Sequence, residues 1–440
     1  AFCRDGRIAM EATFGLTEPA DLSKSASTAV SSRITSIDAA RGLVMFTMIC
    51  VNDIAGASTE IVPAWMRHFR GEDGMTFVDL VFPAFLFIVG MSVPFALGGR
   101  IARGEPLWKC LGHVLTRTLA LLFIGVAMVS GSPDSKELGW SASLWSALMY
   151  LSVILWSGSI SPMRGSEPSA DRERVSQIIS TILRVVGFAC LVGLIFAYRG
   201  EGGRRIVTLS PFSINTEWWG ILGLIGWAYL ASAIVFLVFR SRSTALLACM
   251  TLLFCLYPAG KAGIFDNLAI SRYVGIDGMI GSHGGIAVAG MLLASVLVNP
   301  DMRGNRSRIR FTLLFILGCS VGAILVDGLY GINKNAATPA WCLWACAITA
   351  FVWLILHLLS ETRVGSWLTN PFSVAGRNVF LAYLLSNLLW PVLDVLGLSD
   401  WYGGLAGPTL ANAVARSAGV AVVILSVSVG LNRLGFRLKL

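Results

Sequence analysis

The residues of this chain that could do chemistry concentrate around its first two long apolar runs. His68, one of four histidines, lies in the short hydrophilic segment between these runs. A neutral imidazole is the natural general base near pH 7, because it can both take up and return a proton there. Asp79, at the start of the second run, could orient the ring, and Asn52, at the end of the first, could donate to a developing oxyanion. We predict that His68, Asn52 and Asp79 are catalytic; the alternative is a solvated loop histidine and a helix-capping aspartate.

Asp38 and Arg41 form a second candidate pair, at the other end of the first apolar run. They are three residues apart, which places them on one face of a helix. One interpretation is an acid at a helix start followed by an arginine that anchors the span at the membrane surface. The other is a guanidinium held ready for a phosphate group. The residues alone do not decide between the two.

Four further polar residues are candidates for substrate binding. Three of them are consecutive and precede an apolar run, and the fourth follows Arg377 near the start of a later run. A solvated turn explains the first three nearly as well, and Arg377 could simply reach the membrane surface with its long side chain. The four candidates are Asn333, Lys334, Asn335 and Asn378.

The composition places the chain in a membrane. Of its 440 residues 55% are hydrophobic and 13% are charged, and the mean hydropathy is +0.72, whereas soluble proteins carry about 25% charged residues. Twelve segments are apolar enough to cross a bilayer, and ten or eleven spans also fit the pattern. We therefore predict an all-α, polytopic helical bundle. The segments are roughly 38–54, 77–98, 108–130, 141–160, 177–198, 217–238, 243–259, 280–298, 309–327, 339–359, 372–397 and 411–432.

The distribution of Lys and Arg predicts the orientation of the bundle. With the N-terminus inside, the segments assigned to the cytoplasm carry 21 Lys and Arg, and those assigned to the outside carry 9. This bias predicts that both termini lie inside and that His68 lies in an outer loop. The basic inner loops also account for the formal net charge of +9, so that charge does not indicate a nucleic-acid partner.

The domain organisation that we predict is simple. Residues 1–32 contain no hydrophobic core of signal-peptide length and are expected to form a disordered cytoplasmic tail. Residues 33–440 are expected to form a single transmembrane domain, since no segment between spans is long enough for a water-soluble one. The nine cysteines are scattered singly and no metal-ligand motif occurs, so we predict no metal cofactor.

Two stretches of the chain carry a distinctive combination of motifs. They read RITSIDAARGLVMFTMICVND (residues 33–53) and RHFRGEDGMTFVDLVFPAFLFIVGMSV (residues 67–93), and weaker echoes follow in IRFTLLFILG, INKN and GRNVFLAY. In this combination the chain resembles the heparan-α-glucosaminide N-acetyltransferase family. It departs from that family at the fourth span, where SLWSALMYL replaces the family's GVLQR stretch. It departs again after GRNVFLAY, where Ser386 and Asn387 replace His-Glu.

The resemblance implies a transmembrane acyltransferase with acetyl-CoA as its acyl donor. The family takes an acetyl group from the cytosolic side and passes it to a glucosamine amine on the far side. His68 matches the family's active-site histidine, and Asn52 its asparagine partner. Because the phosphates of CoA cannot enter hydrocarbon, they would stay on Arg41, beside Asp38, and on the basic inner loops. The acceptor would be a sugar amine or hydroxyl of a cell-envelope glycan. Two questions stay open. One is whether the acceptor is acylated on nitrogen or on oxygen, and the other is whether transfer is direct or passes through an acetyl-histidine intermediate.

Two functions of other classes also fit the sequence. Twelve spans with both termini inside is a common layout of secondary transporters, which tend to have internal repeats and ionisable residues at broken helices in the midplane. No repeat is evident here, and the ionisable residues lie at span ends. The other alternative is a non-catalytic membrane partner in glycan export. The expected location is a bacterial inner membrane in contact with its lipids, and the sequence leaves a homodimer open.

Overall fold

The described part of the chain is almost entirely helical. A computed structural model describes residues 19–58, 60–129, 133–161, 170–210, 212–214, 218–299 and 304–438. The α-helices in these ranges are α1 (Pro19–Ile54), α2 (Val81–Ala102), α3 (Leu107–Val129), α4 (Ser135–Leu138), α5 (Ala142–Ser157), α6 (Ala170–Ala197), α7 (Gly220–Phe239), α8 (Ser243–Lys261), α9 (Gly284–Val298), α10 (Asn305–Tyr330), α11 (Pro339–Ser360), α12 (Arg363–Ala375), α13 (Val379–Val395), α14 (Ser399–Gly404) and α15 (Leu410–Arg433).

Shorter elements connect these helices. A π-helix, Ile276–His283, leads directly into α9. Two antiparallel pairs of three-residue strands occur in the described ranges, and one of them ties the chain after α5 to the chain after α15. The 3₁₀ turns are Ala64–Met66, Phe77–Leu80, Glu201–Gly203, Ala269–Arg272 and Gly376–Asn378, and the strands are β1 (Gly158–Ile160), β2 (Val207–Leu209), β3 (Phe212–Ile214) and β4 (Phe436–Leu438).

The helices confirm an all-α, polytopic membrane protein. Ten helical segments of the described chain are long and apolar enough to cross a membrane, and α12 and α13 belong to one of these segments. The two other predicted spans coincide with the second half of α1 and with α5. Helix α5 has 16 residues, which extend for only about 24 Å at the usual helical rise. The count of twelve spans therefore stays a prediction.

Helix α1 begins earlier than the sequence predicts. It starts at Pro19, so residues 19–32, which we expect to belong to a disordered tail, are helical in the structure. Proline is well tolerated in the first turn of a helix, and extending an existing helix costs far less than starting a new one. The apolar second half of α1 can therefore support a polar extension. The rest of the predicted tail, residues 1–18, lies outside the described residues.

Helix α1 packs against the helices of both ends of the chain. It contacts α2, α11, α12, α13 and α15. The contact with the α12–α13 corner is a backbone contact, since a Cβ on Gly376 would lie 1.9 Å from the carbonyl oxygen of Asp38, and one on Gly42 would lie 2.0 Å from that of Phe372. Glycine at these two positions lets the backbones approach closely, as small residues do between membrane helices. The corner is thereby fixed against the inner half of α1.

The most enclosed helix of the bundle is α9. Every residue of α9 from Gly284 to Leu297 is buried, and α2, α7, α8 and the π-helix pack around it. A helix that is apolar on all sides is expected at the centre of a bundle. The outer ends of these central helices surround the site described next.

Candidate active site

His68 and Asp79 lie in direct contact. The Nδ1 atom of His68 is 2.8 Å from Oδ1 of Asp79, and the two side chains are 53% and 1% exposed. Asp79 is in the 3₁₀ turn Phe77–Leu80, which leads into α2, so its position is fixed by a helix start. The structure thus brings together two of the three residues that the sequence predicts to be catalytic.

The second carboxylate oxygen of Asp79 organises the loop that carries His68. It accepts backbone hydrogen bonds from the N–H groups of Phe69, at 3.0 Å, and Thr76, at 3.1 Å. The Thr76 hydroxyl donates to the carbonyl oxygen of Arg67, at 2.7 Å. A buried carboxylate is stable only when such donors surround it. Residues 67–76 are therefore held in place around Asp79.

Lys334 completes a three-residue cluster with His68 and Asp79. Its Nζ atom lies 3.0 Å from Nδ1 of His68 and 3.4 Å from Oδ1 of Asp79. Burial lowers the pKa of Lys334, and the Asp79 carboxylate partly offsets this effect. The sequence predicts Lys334 as a substrate-binding residue, and the structure places its ammonium group beside the histidine and the carboxylate.

The contacts of the cluster allow two hydrogen-bonding arrangements at Nδ1 of His68. With a proton on Nδ1, this atom donates to Asp79, at 2.8 Å, and the Lys334 ammonium group, which can only donate, pairs with Asp79. With the proton on Nε2 instead, Nδ1 accepts from Lys334, at 3.0 Å. The first arrangement leaves Nε2 without a proton, as a base at Nε2 requires.

The loop that carries Lys334 is bound to the loop that carries His68. The Asn333 side chain donates to the carbonyl oxygen of Glu72, at 3.0 Å, and the N–H of Ile332 donates to Asp73, at 2.7 Å. The Asn333 oxygen accepts from the N–H of Ala336, at 2.9 Å. Asn333, predicted to bind substrate, thus shapes this junction.

A cavity of about 640 Å³ opens beside the cluster. Asn52 is exposed in it, and within the described residues its amide makes no hydrogen bond. That amide is free to donate to a ligand, as the predicted oxyanion contact requires. We call this space the outer cavity, and its polar lining includes Asn52, His68, Lys261, Asp277, His283, Lys334 and Asn335.

A second cavity of about 330 Å³ lies at the other end of the membrane half of α1. Arg41 lines it and is held in place by donating to Asp38, at 2.7 Å, to Ser92, at 2.7 Å, and to the carbonyl of Gly376, at 3.1 Å. Asp38 is not itself in the lining, but its carboxylate interacts with two lining residues, Arg41 and Arg377. We call this space the inner cavity, and its polar lining includes Arg41, Ser92, Arg117, Tyr229, Arg377 and Asn378.

Arg117 and Arg377 are site residues that the sequence does not reveal. The guanidinium of Arg117 lies 4.9 Å from the centre of the Tyr229 ring, and its Nε atom is buried without a partner. Arg377 is exposed and forms no ion pair within the described residues. The only signal in the sequence is that both are charges within apolar segments, which often mark functional positions.

Asn378 lies in the inner cavity, apart from the other predicted substrate-binding residues. Its Nδ2 atom is buried and has no hydrogen-bond partner in the described structure. The inner cavity therefore presents three guanidinium groups and one unpaired amide donor. These groups fit an anion rich in acceptor atoms, such as a phosphate.

The two cavities are neighbours along α1. Met48 and Ile221 line both of them. Arg41 and Asn52 are eleven residues apart on this helix, which corresponds to about 16 Å at the usual helical rise. The side chains of Met48 and Ile221 therefore lie between the arginines and the imidazole.

The outer end of α1 is fixed by a buried ion pair. Asp53 accepts from Nε of Arg416 at 3.0 Å and from the Ser417 hydroxyl at 2.6 Å, and it also accepts from the Tyr402 hydroxyl. The side chains of Arg416 and Asp53 are 3% and 5% exposed. Asn52 precedes Asp53, so this network positions the amide that faces the outer cavity.

Comparisons with known proteins match this chain to a family model and to curated relatives. A family model described as "Domain of unknown function (DUF5009)" matches residues 33–273. The heparan-alpha-glucosaminide N-acetyltransferase of Mus musculus is 31% identical over 386 residues, which cover 84% of this chain and 50% of that protein. The chain belongs to the heparan-α-glucosaminide N-acetyltransferase family. The Homo sapiens protein of the same name is 22% identical over 386 residues, 80% of this chain and 52% of its own length.

The match to these N-acetyltransferases is partial in one respect. The chain spans about half the length of the curated relatives it matches. The matched family region contains His68, Asp79 and Asn52, together with Arg41 and Arg117. In the described residues, no group of three or more His, Cys, Asp or Glu side chains could hold a metal ion.

Proposed function

We propose that this chain is a membrane-bound acyltransferase. It passes an acetyl group from acetyl-CoA, bound in the inner cavity, to an amino sugar or glycan in the outer cavity. The observation that carries the proposal is that two cavities share Met48 and Ile221 in their linings, with three arginines in one and the His68–Asp79–Lys334 cluster at the other. In a bacterial inner membrane, the acceptor would lie on the envelope side.

The donor side of the proposal follows from charge. The phosphates of CoA cannot enter hydrocarbon, so they need cations at the mouth of the cavity. Among the described residues, Nε of Arg117 has no partner and Arg377 forms no ion pair, while Arg41 is fixed by its bonds to Asp38 and Ser92. The thioester would then reach past Met48 towards the outer cavity.

The chemistry of transfer follows from the cluster. The acceptor amine attacks the thioester carbonyl carbon, so that a C–N bond forms and the C–S bond breaks. Nε2 of His68 takes the amine proton and returns it to the leaving thiolate. The Asp79 carboxylate stabilises the imidazolium that forms in between, and the Asn52 amide donates to the oxyanion. Transfer to a hydroxyl, or through an acetyl-imidazole, would use the same nitrogen.

A secondary transporter is the second candidate. It is favoured by the π-helix Ile276–His283, an irregular helix beside the outer cavity. The curated relatives favour the enzyme, because both are named N-acetyltransferases.

The test is to incubate the purified full chain with acetyl-CoA labelled in the acetyl group and a panel of amino sugars. We expect label on the sugar and one free CoA thiol for each acetyl group transferred. His68→Ala should abolish both signals, and His113→Ala, which changes a histidine outside both cavities, should leave them intact. Uptake of a sugar into proteoliposomes without CoA release would instead establish the transporter.

A further inference from the structure

One wall of the outer cavity is built by the π-helix. Ile276–His283 contributes Asp277, Gly278, Met279 and His283 to the lining. The opposite functional cluster, His68 with Asp79 and Lys334, comes from different elements. π-helices are rare and frequently occur at functional sites. This wall has no part in the transfer chemistry described above.

Asp277 is a carboxylate without a partner. It is half-buried in the outer cavity, and no hydrogen bond or ion pair within the described residues involves it. Lys261 lines the same cavity without forming an ion pair with Asp277. A partly exposed carboxylate in a cavity lining has oxygens that can accept hydrogen bonds from a ligand in that cavity.

The position of Asp277 is set by a close contact with α8. A Cβ at Gly260 would lie 2.5 Å from the Cβ of Asp277 and 3.0 Å from its carboxylate oxygen Oδ2. The missing side chain at position 260 therefore provides the space that Asp277 occupies. The carboxylate is packed into place on its helix side and open on its cavity side.

His283 and Trp218 complete this wall. The His283 ring lies edge-on to the rings of Phe82, at 5.5 Å between centroids, and Trp341, at 6.3 Å. Its Nδ1 atom is buried without a partner in the described part of the chain, and the residue lines the cavity. The side chain of Trp218 is 42% exposed and adds an aromatic surface.

We propose that Asp277, His283 and Trp218 form the recognition site for a neutral or cationic sugar acceptor. A carboxylate accepts hydrogen bonds from neighbouring hydroxyls or from an ammonium group, and an imidazole adds a further polar contact. An indole packs against the apolar face of a sugar ring. This inference rests on the proposed function, and it adds which residues select the acceptor.

The first experiment separates acceptor recognition from catalysis. With D-glucosamine as the acceptor and saturating acetyl-CoA, Asp277→Asn should raise KM for the sugar about ten- to a hundredfold, the range expected for a charged hydrogen bond. kcat and KM for acetyl-CoA should change little. Gly260→Ala should act in the same direction by displacing the carboxylate. The matched control is Asp266→Asn, which removes an exposed acid outside the cavity lining and should leave both constants unchanged.

The second experiment needs no turnover. D-glucosamine alone should raise the Tm of the wild-type protein, and Asp277→Asn should abolish this shift without lowering the Tm of the free protein. Transfer with an unchanged KM in Asp277→Asn would refute the recognition site and leave the acyltransferase standing. A Tm shift that depends on Asp277 in a protein without transfer would support the site and refute the proposed chemistry. A wild-type protein that shows no Tm shift would overturn the recognition site.

Discussion

The imidazole of His68 and the carboxylate of Asp79 lie 2.8 Å apart although one side chain is 53% exposed and the other 1%. A buried carboxylate is not screened by water, so its hold on the ring is stronger than that of a surface aspartate. The exposed part of the ring still faces the outer cavity, where a substrate can reach it. The pair thus fixes the orientation of the imidazole and leaves the ring accessible to a substrate.

Replacing the base should remove most of the transfer rate. We expect His68→Ala to lower kcat by about 10²–10⁴-fold, because the amine proton then has no acceptor. Asp79→Asn should lower kcat less, since the ring keeps its nitrogen but loses its orientation. It should also lower Tm, because Asp79 binds two backbone N–H groups. Rates are measured by CoA release, with His113→Ala as the control. Wild-type turnover in His68→Ala would refute the mechanism.

Asn52 should affect rate without affecting stability. Its amide makes no hydrogen bond within the described residues, so Asn52→Ala leaves no group unpaired. We expect a loss of about ten- to a thousandfold in kcat, from a lost oxyanion contact, and an unchanged Tm. A fall in Tm together with a normal kcat would instead make Asn52 a structural residue.

The arginines of the inner cavity should control CoA affinity. Arg377→Gln should weaken CoA binding about ten- to a hundredfold, the value of one charge-assisted contact to phosphate, with little change in kcat at saturating acetyl-CoA. Arg41→Gln should weaken binding too, and it should also lower Tm because Asp38 and Ser92 lose their partner. Binding is measured by calorimetry, with the exposed Arg310→Gln as the control. If all variants bind CoA as tightly as the wild-type protein does, CoA does not bind in the inner cavity.

The buried ion pair of Asp53 and Arg416 should be needed for stability. Arg416→Met removes the cation and leaves a buried carboxylate, which should lower the free energy of unfolding by about 3–5 kcal/mol. The double variant Asp53→Asn, Arg416→Met should recover part of that loss, because no unpaired charge is left. Denaturant unfolding of the two single variants and the double variant measures this coupling. Additive losses would show that the two residues act independently.

The orientation can be tested independently of activity. In a cysteine-free background, an impermeant thiol reagent should label Asn335→Cys from the outside and Arg306→Cys from the inside. Both residues are in the described chain, and the second is exposed at the start of α10. Labelling of position 335 from the cytosol alone would reverse the orientation and with it the assignment of donor and acceptor cavities.

The sequence by itself determined the features that depend on neighbouring residues. Apolar length predicts the membrane helices because the bilayer acts on each segment separately. His68 and Asp79 are eleven residues apart, so a single short loop can join them, and their pairing was within reach of the sequence. The start of α1 could not be predicted from the sequence. Polar residues 19–32 are helical as the extension of a helix whose later part is held in place by packing.

Only the tertiary structure decided which distant residues share a cavity. Lys334 reaches His68 across 266 positions of the chain, and Arg41 reaches the Gly376 carbonyl across 335. The same packing brings Arg117 and Arg377 to Arg41 and separates Asn378 from Asn335. Hydropathy identifies a membrane helix, but it does not give the rotation of the helix or its neighbours. These are set by close contacts, such as that of Gly376 with the backbone of Asp38. Helix packing therefore decides which residues complete the site.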